Sequence, residues 1–375
     1  MNITETSSEN YVLDNITEEE NKVGTSENVE EYEEENIPFK YSITSYGADY
    51  PVDSIVKRLE NGSIYIPSLQ RRYVWKLEQA SRFIESLLIG LPVPGIFLSK
   101  EKETGKLLVI DGQQRLRTLQ YFYSSIFQPS GKKFALKDVQ EQFQGCTYDS
   151  LEEDDRRRLD DSIIHATVVT QDEPSEDDSS IYHIFKRLNT GGTTLKAQEI
   201  RSSIYHGEFN DLLKQMNDHP AWRDVYGKSD KNMRDEEMIL RFIALYFQSD
   251  DYKKPMTEFL NKFMGKNRHL QIYSGEQIKN KFELTIQTIY NALGNKAFKP
   301  KRSLNAAVFD AVMVGIARRL DQGSVKDVTA LASQYQSLLA KDDFQAVTIN
   351  TARTSEEGII KERIKLATEA FAEIE

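Results

Sequence analysis

At residues 106–119 the chain reads KLLVIDGQQRLRTL, an apolar run that breaks at Asp111 and Gly112 and resumes as a polar, then amphipathic, stretch. The pattern predicts a strand feeding straight into a helix. Such a junction presents the unbonded N–H groups of the helix's first turn, and the positive end of its dipole, beyond the strand. That arrangement suits a phosphate. Gly112 lets a ligand approach the backbone with no side chain in the way, and Arg115, one turn in, can fork two donors onto phosphate oxygens. Asp111 can cap the helix or hold a Mg2+ that bridges phosphates, and Gln113 and Gln114 can orient a water or a base edge. The plain alternative is a strand-to-helix turn with an aspartate N-cap and a surface arginine.

Two other stretches carry polar groups of the right kind. Gln70, Arg71 and Arg72 lie in SLQRRYVW, where adjacent arginines beside aromatic residues suit phosphate or base contact. In an extended segment the two arginines point to opposite faces, so one of them reaches a shared site, and Trp75 reads as core. In RLNTGGTTL, Asn189, Gly191 and Gly192 form a loop able to adopt positive φ, and Thr193 or Thr194 can cap the next helix or bond a phosphate. A plain helix–helix turn fits that loop equally. The sequence has no Walker-type GxxxxGK[ST], no GxGxxG and no HExxH. Its five histidines (His165, His183, His206, His219, His269) are scattered singly, with no HNH-nuclease arrangement.

The elements that must position these groups follow from periodicity. FKYSIT reads as a short extended segment, and PVDSIVKRLENG as a helix with Val52, Ile55, Val56 and Leu59 on one face. SIYIPSLQRRYVW is extended. KLEQASRFIESLLIGLPVP places Ala80, Phe83, Ile84, Leu87, Leu88 and Leu91 on one helical face before Gly90 and Pro92 stop it. IFLSKEKETGKLLVI reads as two strands joined by a polar turn, and Leu116, Leu119, Tyr123 and Ile126 recur at helical spacing after the Asp-Gly break. IIHATVV is a further strand within a charge-dense region. IYHIFKRLNTGGTTLKAQEIRSSIYHGEF is helix, loop, helix, and beyond about residue 205 every periodic stretch is helical. The expected fold class is therefore α+β, with a mixed domain over 37–205 followed by an all-helical domain over 206–375.

Charge is distributed unevenly. Residues 1–36 hold twelve carboxylates and one lysine, a net −11 that equals the charge of the whole chain. A segment so acidic and poor in apolar residues cannot offset its ordering entropy by burial, so it reads as a disordered tail, a solubilising leader or a mimic of nucleic acid. Residues 251–302 carry eleven Lys/Arg against four Asp/Glu, interleaved with aromatics. That basic stretch is a candidate DNA face through Lys262, Lys266, Arg268, Lys299 and Arg302. The single cysteine, Cys146, excludes an internal disulfide, and no apolar run approaches the roughly 20 residues of a membrane span. The chain reads as soluble and cytoplasmic.

IPSLQRRYVW, FIESLLIGLPVPGIFL, VIDGQQRLRTL and FKRLNTGGTTLKAQEIRSS occur in this order over about residues 45–215. The combination resembles the DGQQR-motif family that forms the N-terminal part of GmrSD-type modification-dependent restriction enzymes. What the resemblance implies is a ParB/sulfiredoxin-like N-terminal fold that binds and hydrolyses nucleoside triphosphates with Mg2+ or another divalent cation, in bacterial defence against phage or modified DNA. Its nucleotide motif falls on Asp111, Gly112, Gln113, Gln114 and Arg115, its upstream motif on Gln70, Arg71 and Trp75, and its loop motif on Asn189, Gly192 and Glu199. Three departures stand out. The C-terminal region lacks the HNH nuclease pattern of the restriction members. Lys196 stands where the family often has a serine that caps the next helix, which leaves Thr194 as the candidate cap, and Arg117 adds a cation where threonine is frequent.

The resulting expectation is an NTP site in which Asp111, Gln114 and Arg115 act on the phosphates and Asp111 is the metal ligand. Gln70, Arg71, Gly112, Gln113, Asn189, Gly192 and Thr193 would hold the nucleotide, and DNA and a separate nuclease or effector would be the partners. Two alternatives remain: a non-catalytic nucleotide-sensing or DNA-binding ParB-like module, and a DNA nuclease with carboxylate metal ligands unrecognised in sequence.

Overall fold

A computed structural model describes residues 42–67, 73–102, 104–173, 179–188 and 195–375. The acidic segment 1–36, Gln70, Arg71 and Arg72, and the loop residues 189–194, Thr194 with its expected cap included, lie outside the described residues.

Five strands form one mixed sheet: β1 (Ser42–Pro51), β2 (Ile64–Tyr65), β3 (Ile96–Lys100), β4 (Leu107–Asp111) and, after the two-residue strands β5 (Ile126–Phe127) and β6 (Lys132–Lys133) of a separate hairpin, β7 (Ile163–Glu173). The spatial order is β1-β7-β3-β4-β2, with β1 antiparallel to β7, β7 parallel to β3, β3 antiparallel to β4, and β4 parallel to β2. Strand alternation gives the sheet two apolar faces. Ile96, Leu98, Leu107, Val109, Ile164, Ala166 and Val168 pack beneath the helices α1 (Val52–Glu60), α2 (Leu77–Leu88), α3 (Gln113–Tyr123) and α4 (Glu153–Asp161). From the opposite face, Ile110 and Val169 join a second core with α5 (Ser179–Leu188) and α6 (Ala197–Ile204).

That second core continues without interruption into the helical region. It is built from α7 (Glu208–Asn217), α8 (Pro220–Tyr226), α9 (Arg234–Gln248), α10 (Met256–Lys266), α11 (Gly275–Leu293), α12 (Ala306–Leu320), α13 (Val328–Ala340), α14 (Asp342–Thr348) and α15 (Glu357–Phe371). The architecture is a mixed sheet with helices followed by an all-helical region, and no strand occurs beyond Glu173 among the described residues. None of the described helices is long and apolar enough to cross a membrane.

Several elements differ from the reading of the sequence, among them α4 and the last residues of β7, which arise in the region read only as charge-dense around IIHATVV. β1 continues past Thr44 to Pro51, and its poor strand formers Gly47, Asp49 and Pro51 are held in place by pairing along its whole length with β7. α2 ends at Leu88, and Gly90 turns the chain with a φ of +74°, so Leu91 leaves the buried face and is exposed. α3 ends at Tyr123, so Ile126 belongs to the β5–β6 hairpin and is exposed as well.

Charge also enters the helical core. Asp310 of α12 accepts from Arg241 Nε of α9 at 3.1 Å and Nη2 at 2.6 Å, and from Arg363 Nη2 of α15 at 2.6 Å. Asp310 and Arg363 are fully buried. Removing Asp310 would strand two guanidinium groups in an apolar interior, and breaking such a group one-sidedly costs about 3–5 kcal/mol. Asp310→Ala is therefore expected to lower the unfolding free energy of the helical region by that amount in denaturant titrations followed by circular dichroism, whereas Lys365→Ala, on the exposed side of α15, should change it by less than about 0.5 kcal/mol.

Candidate functional site

The junction between β4 and α3 is shaped by Gly112. It serves as N-cap of α3 with a φ of +101°, a conformation that disfavours any L side chain. A Cβ built there would approach Ile96 Cγ2 to 2.4 Å. The glycine thus lets α3 start directly over β3, and no side chain caps the helix. Asp111 remains a strand residue, so the expected aspartate N-cap does not form. Its half-exposed carboxylate instead accepts from Arg115 Nη2 at 2.9 Å. The same Nη2 donates to the Gly95 carbonyl at 2.9 Å, and Arg115 Nε is buried without a hydrogen-bond partner. A guanidinium has five N–H donors, and here the two on Nη2 are the ones in use. Gln113 stands half-buried at the start of the helix.

Gln114 turns the other way. Its Oε1 accepts from the backbone N–H groups of Val74 at 3.0 Å and Trp75 at 3.4 Å. Thr118 donates to the Gln114 carbonyl at 2.7 Å, so the 2.7 Å contact between Thr118 and Tyr73 must be donated by the Tyr73 hydroxyl. Burial pushes that phenol up to about 12. The segment Tyr73–Trp75 is in this way tied to the first two turns of α3. Trp75 is half-buried, edge-on to Phe83 at 5.8 Å, as its core reading expects.

The third motif flanks its loop with α5, which packs on β4 and β7, and α6. Lys196 is the N-cap of α6, and its backbone N–H donates to Glu199 Oε2 at 2.8 Å. The cap therefore comes from Glu199, whose carboxyl burial holds above the ordinary range. Sequence reasoning passed over Arg201. It is fully buried and joins α6 to its neighbours: Nε donates to Asn261 Oδ1 at 2.9 Å, and Nη1 meets Gln198 Oε1 and, at 3.3 Å, Glu237 Oε2. An arginine beside Ile200 and Ile204 on a short helix was the available signal, but its partners lie 36 and 60 residues away.

The basic stretch of the helical region divides. Lys262, Lys266 and Arg302 are exposed. Arg268 is mostly buried, paired with Glu101 at 2.7 Å. Lys299 donates to the carbonyls of Val225 at 2.7 Å and Asn295 at 3.0 Å, and burial lowers its pKa. Lys254 and Lys281 pair with Glu356 and Asp321. Arg268, Lys254 and Lys281 thus meet carboxylates from elsewhere in the chain, which offsets part of the local excess of positive charge. No group of three or more His, Cys, Asp or Glu side chains able to hold a metal ion occurs among the described residues.

Compared with known families, residues 52–206 match the one described as the GmrSD restriction endonuclease, N-terminal domain. A search of curated proteins finds no match to the chain.

Gly112 offers a direct check of the junction. Gly112→Ala should destabilise the sheet region by about 1–3 kcal/mol, through both the positive φ and the contact with Ile96, as measured by chemical denaturation. Adding Ile96→Ala should relieve the contact but not the backbone strain, so the double variant should show a ΔΔG smaller than the sum of the two single changes.

Proposed function

Because residues 52–206 belong to the GmrSD N-terminal domain family, we propose that this chain is the nucleotide-hydrolysing component of a bacterial restriction system acting in the cytoplasm against phage or modified DNA. The observation that supports a phosphate site is Arg115. It is held at the head of α3 by Asp111 and the Gly95 carbonyl, with its remaining donors unused. A polyanion arriving at the start of α3 meets that guanidinium and the positive end of the helix dipole together.

The residues fit Mg2+ bound with a nucleotide. Asp111 supplies one half-exposed carboxylate, which suits an ion that takes one or two protein carboxylates and completes its shell with phosphate oxygens and water. When bound, the ion would neutralise phosphate charge. Arg115 stabilises charge developing on the transferred phosphoryl group, and Gln113 with the α3 amides orients the phosphates. Gln114 acts by fixing the backbone of Val74 and Trp75, which follow Gln70 and Arg71 in sequence. Those two residues, with Asn189, Gly192 and Thr193, complete the nucleotide walls in this reading, and the ParB-like likeness belongs to the same proposal.

DNA contact falls to the exposed Lys262, Lys266 and Arg302, with Arg268 and Lys299 serving structure instead. Cleavage belongs to a separate nuclease or effector. A second reading, nucleotide sensing without hydrolysis, is favoured by the internal pairing of Arg115 with Asp111, which binding alone need not disrupt. The carboxylate-metal nuclease draws no support from the acidic residues described.

Phosphate release from each common nucleoside triphosphate, with Mg2+ or Mn2+, separates these readings. The wild type is expected to turn over, and Arg115→Ala to lose about 10²–10³-fold in kcat. Nucleotide binding with no turnover in the wild type would make the protein a sensor, and absence of both would overturn the site. For DNA, neutralising Lys262, Lys266 and Arg302 together should flatten the plot of log affinity against log salt by about 3 units of slope, and an unchanged slope would remove the basic face from the reading.

A further inference from the structure

The sheet and the helical region meet in a four-residue clasp. Arg268, in the link between α10 and α11, donates from Nη2 to Glu101 Oε1 at 2.7 Å and to His206 Nδ1 at 2.6 Å, and from Nε to the His206 carbonyl at 2.6 Å. Tyr65 of β2 donates its hydroxyl to the same Glu101 oxygen at 2.6 Å, and Thr104 donates to Glu101 Oε2 at 2.6 Å. The His206 ring stacks on Tyr65 with centroids 4.8 Å apart. Gly207 allows the closeness of the two links, since a Cβ there would sit 2.8 Å from the Arg268 carbonyl oxygen. Glu101 follows the last residue of β3, whose first residue, Ile96, lies under Gly112. One short strand therefore connects the clasp to the Arg115 junction.

The contact between Arg268 and His206 admits a single protonation state. Arginine only donates, so His206 Nδ1 must carry a lone pair and the ring must be neutral with its proton on Nε2. We propose that this clasp is an acid-sensitive latch: protonation of His206 removes the acceptor, sets imidazolium against guanidinium, and releases the helical region from the β2 and β3–β4 edge of the sheet.

The groups facing His206 set the balance. Burial, the Arg268 cation, and more weakly His269 and Lys106, hold the imidazole below its ordinary 6.5, while Glu101 pulls the opposite way. Glu101 is itself buried, yet the hydrogen bonds from Thr104, Tyr65 and Arg268 bring its carboxyl down to about 2. It therefore stays charged throughout the range in which histidine titrates. Tyr65, with its phenol raised by burial and by Glu101, stays neutral there. Between the lowered pKa and 6.5 the opened form binds the extra proton, so closure weakens as pH falls through that interval.

Hydrogen exchange of the full chain, read by mass spectrometry at about pH 7.5 and about pH 5.5 and normalised for intrinsic exchange, tests the latch. Peptides covering Tyr65, Glu101, His206 and Arg268 should lose protection on the order of tenfold at the lower pH, while α12 does not change. His206→Asn keeps an acceptor that cannot titrate and should stay closed at both pH values. Arg268→Met should show the low-pH pattern already at the higher pH. Equal protection of the wild type at both values, or a pH response of His206→Asn equal to that of the wild type, would overturn the proposal.

Discussion

The chain leaves β4 and enters α3 through a single left-handed residue, and that residue lies directly on a neighbouring strand. Gly112 meets both demands, with positive φ and no Cβ to strike Ile96. Everything at the candidate site follows from this close approach. It sets the start of α3 over β3, brings Arg115 within reach of the Gly95 carbonyl and Asp111, and points Gln114 toward the backbone of Val74 and Trp75. A glycine that sequence reasoning assigns to ligand approach has a packing reason of its own.

The polar residues of the motif divide their labour accordingly. Arg115 keeps donors in reserve, whereas Gln114 spends its carbonyl oxygen on holding the neighbouring segment. The same economy appears in the third motif, where Glu199 closes the N-terminus of α6 and the buried Arg201 ties that helix to α9 and α10. The match of residues 52–206 to the GmrSD N-terminal domain spans both the β4–α3 junction and the start of α6.

Burial of charge is the second organising theme. Asp310 between Arg241 and Arg363, and Glu101 between Arg268 and Tyr65, place ion pairs where their desolvation is offset only by near-complete hydrogen bonding. Such pairs tie helices and sheet together, since loss of either partner leaves a charge buried and uncompensated. They also remove cations from the surface, so the basic stretch of residues 251–302 offers fewer free charges than its composition suggests.

The amino-acid sequence determined a good deal by itself. Helical periodicity located α1, most of α2 and α3, and the helical region, because one buried face repeats every three to four residues whatever lies opposite. The β3–β4 pair and the β4–α3 junction were legible from apolar runs broken at Asp-Gly, and the ordered motifs marked the family. The tertiary structure alone decided where strands and helices end, as with β1, which is held by β7, and with Leu91 and Ile126, which fall past the last hydrogen-bonded turn. It alone assigned Arg268 and Lys299 to bonds within the chain and disclosed Arg201. The physical reason is the same in each case: periodicity reports local burial, whereas the partner of a charge or an edge strand lies tens to more than a hundred residues away and leaves no mark at its own position.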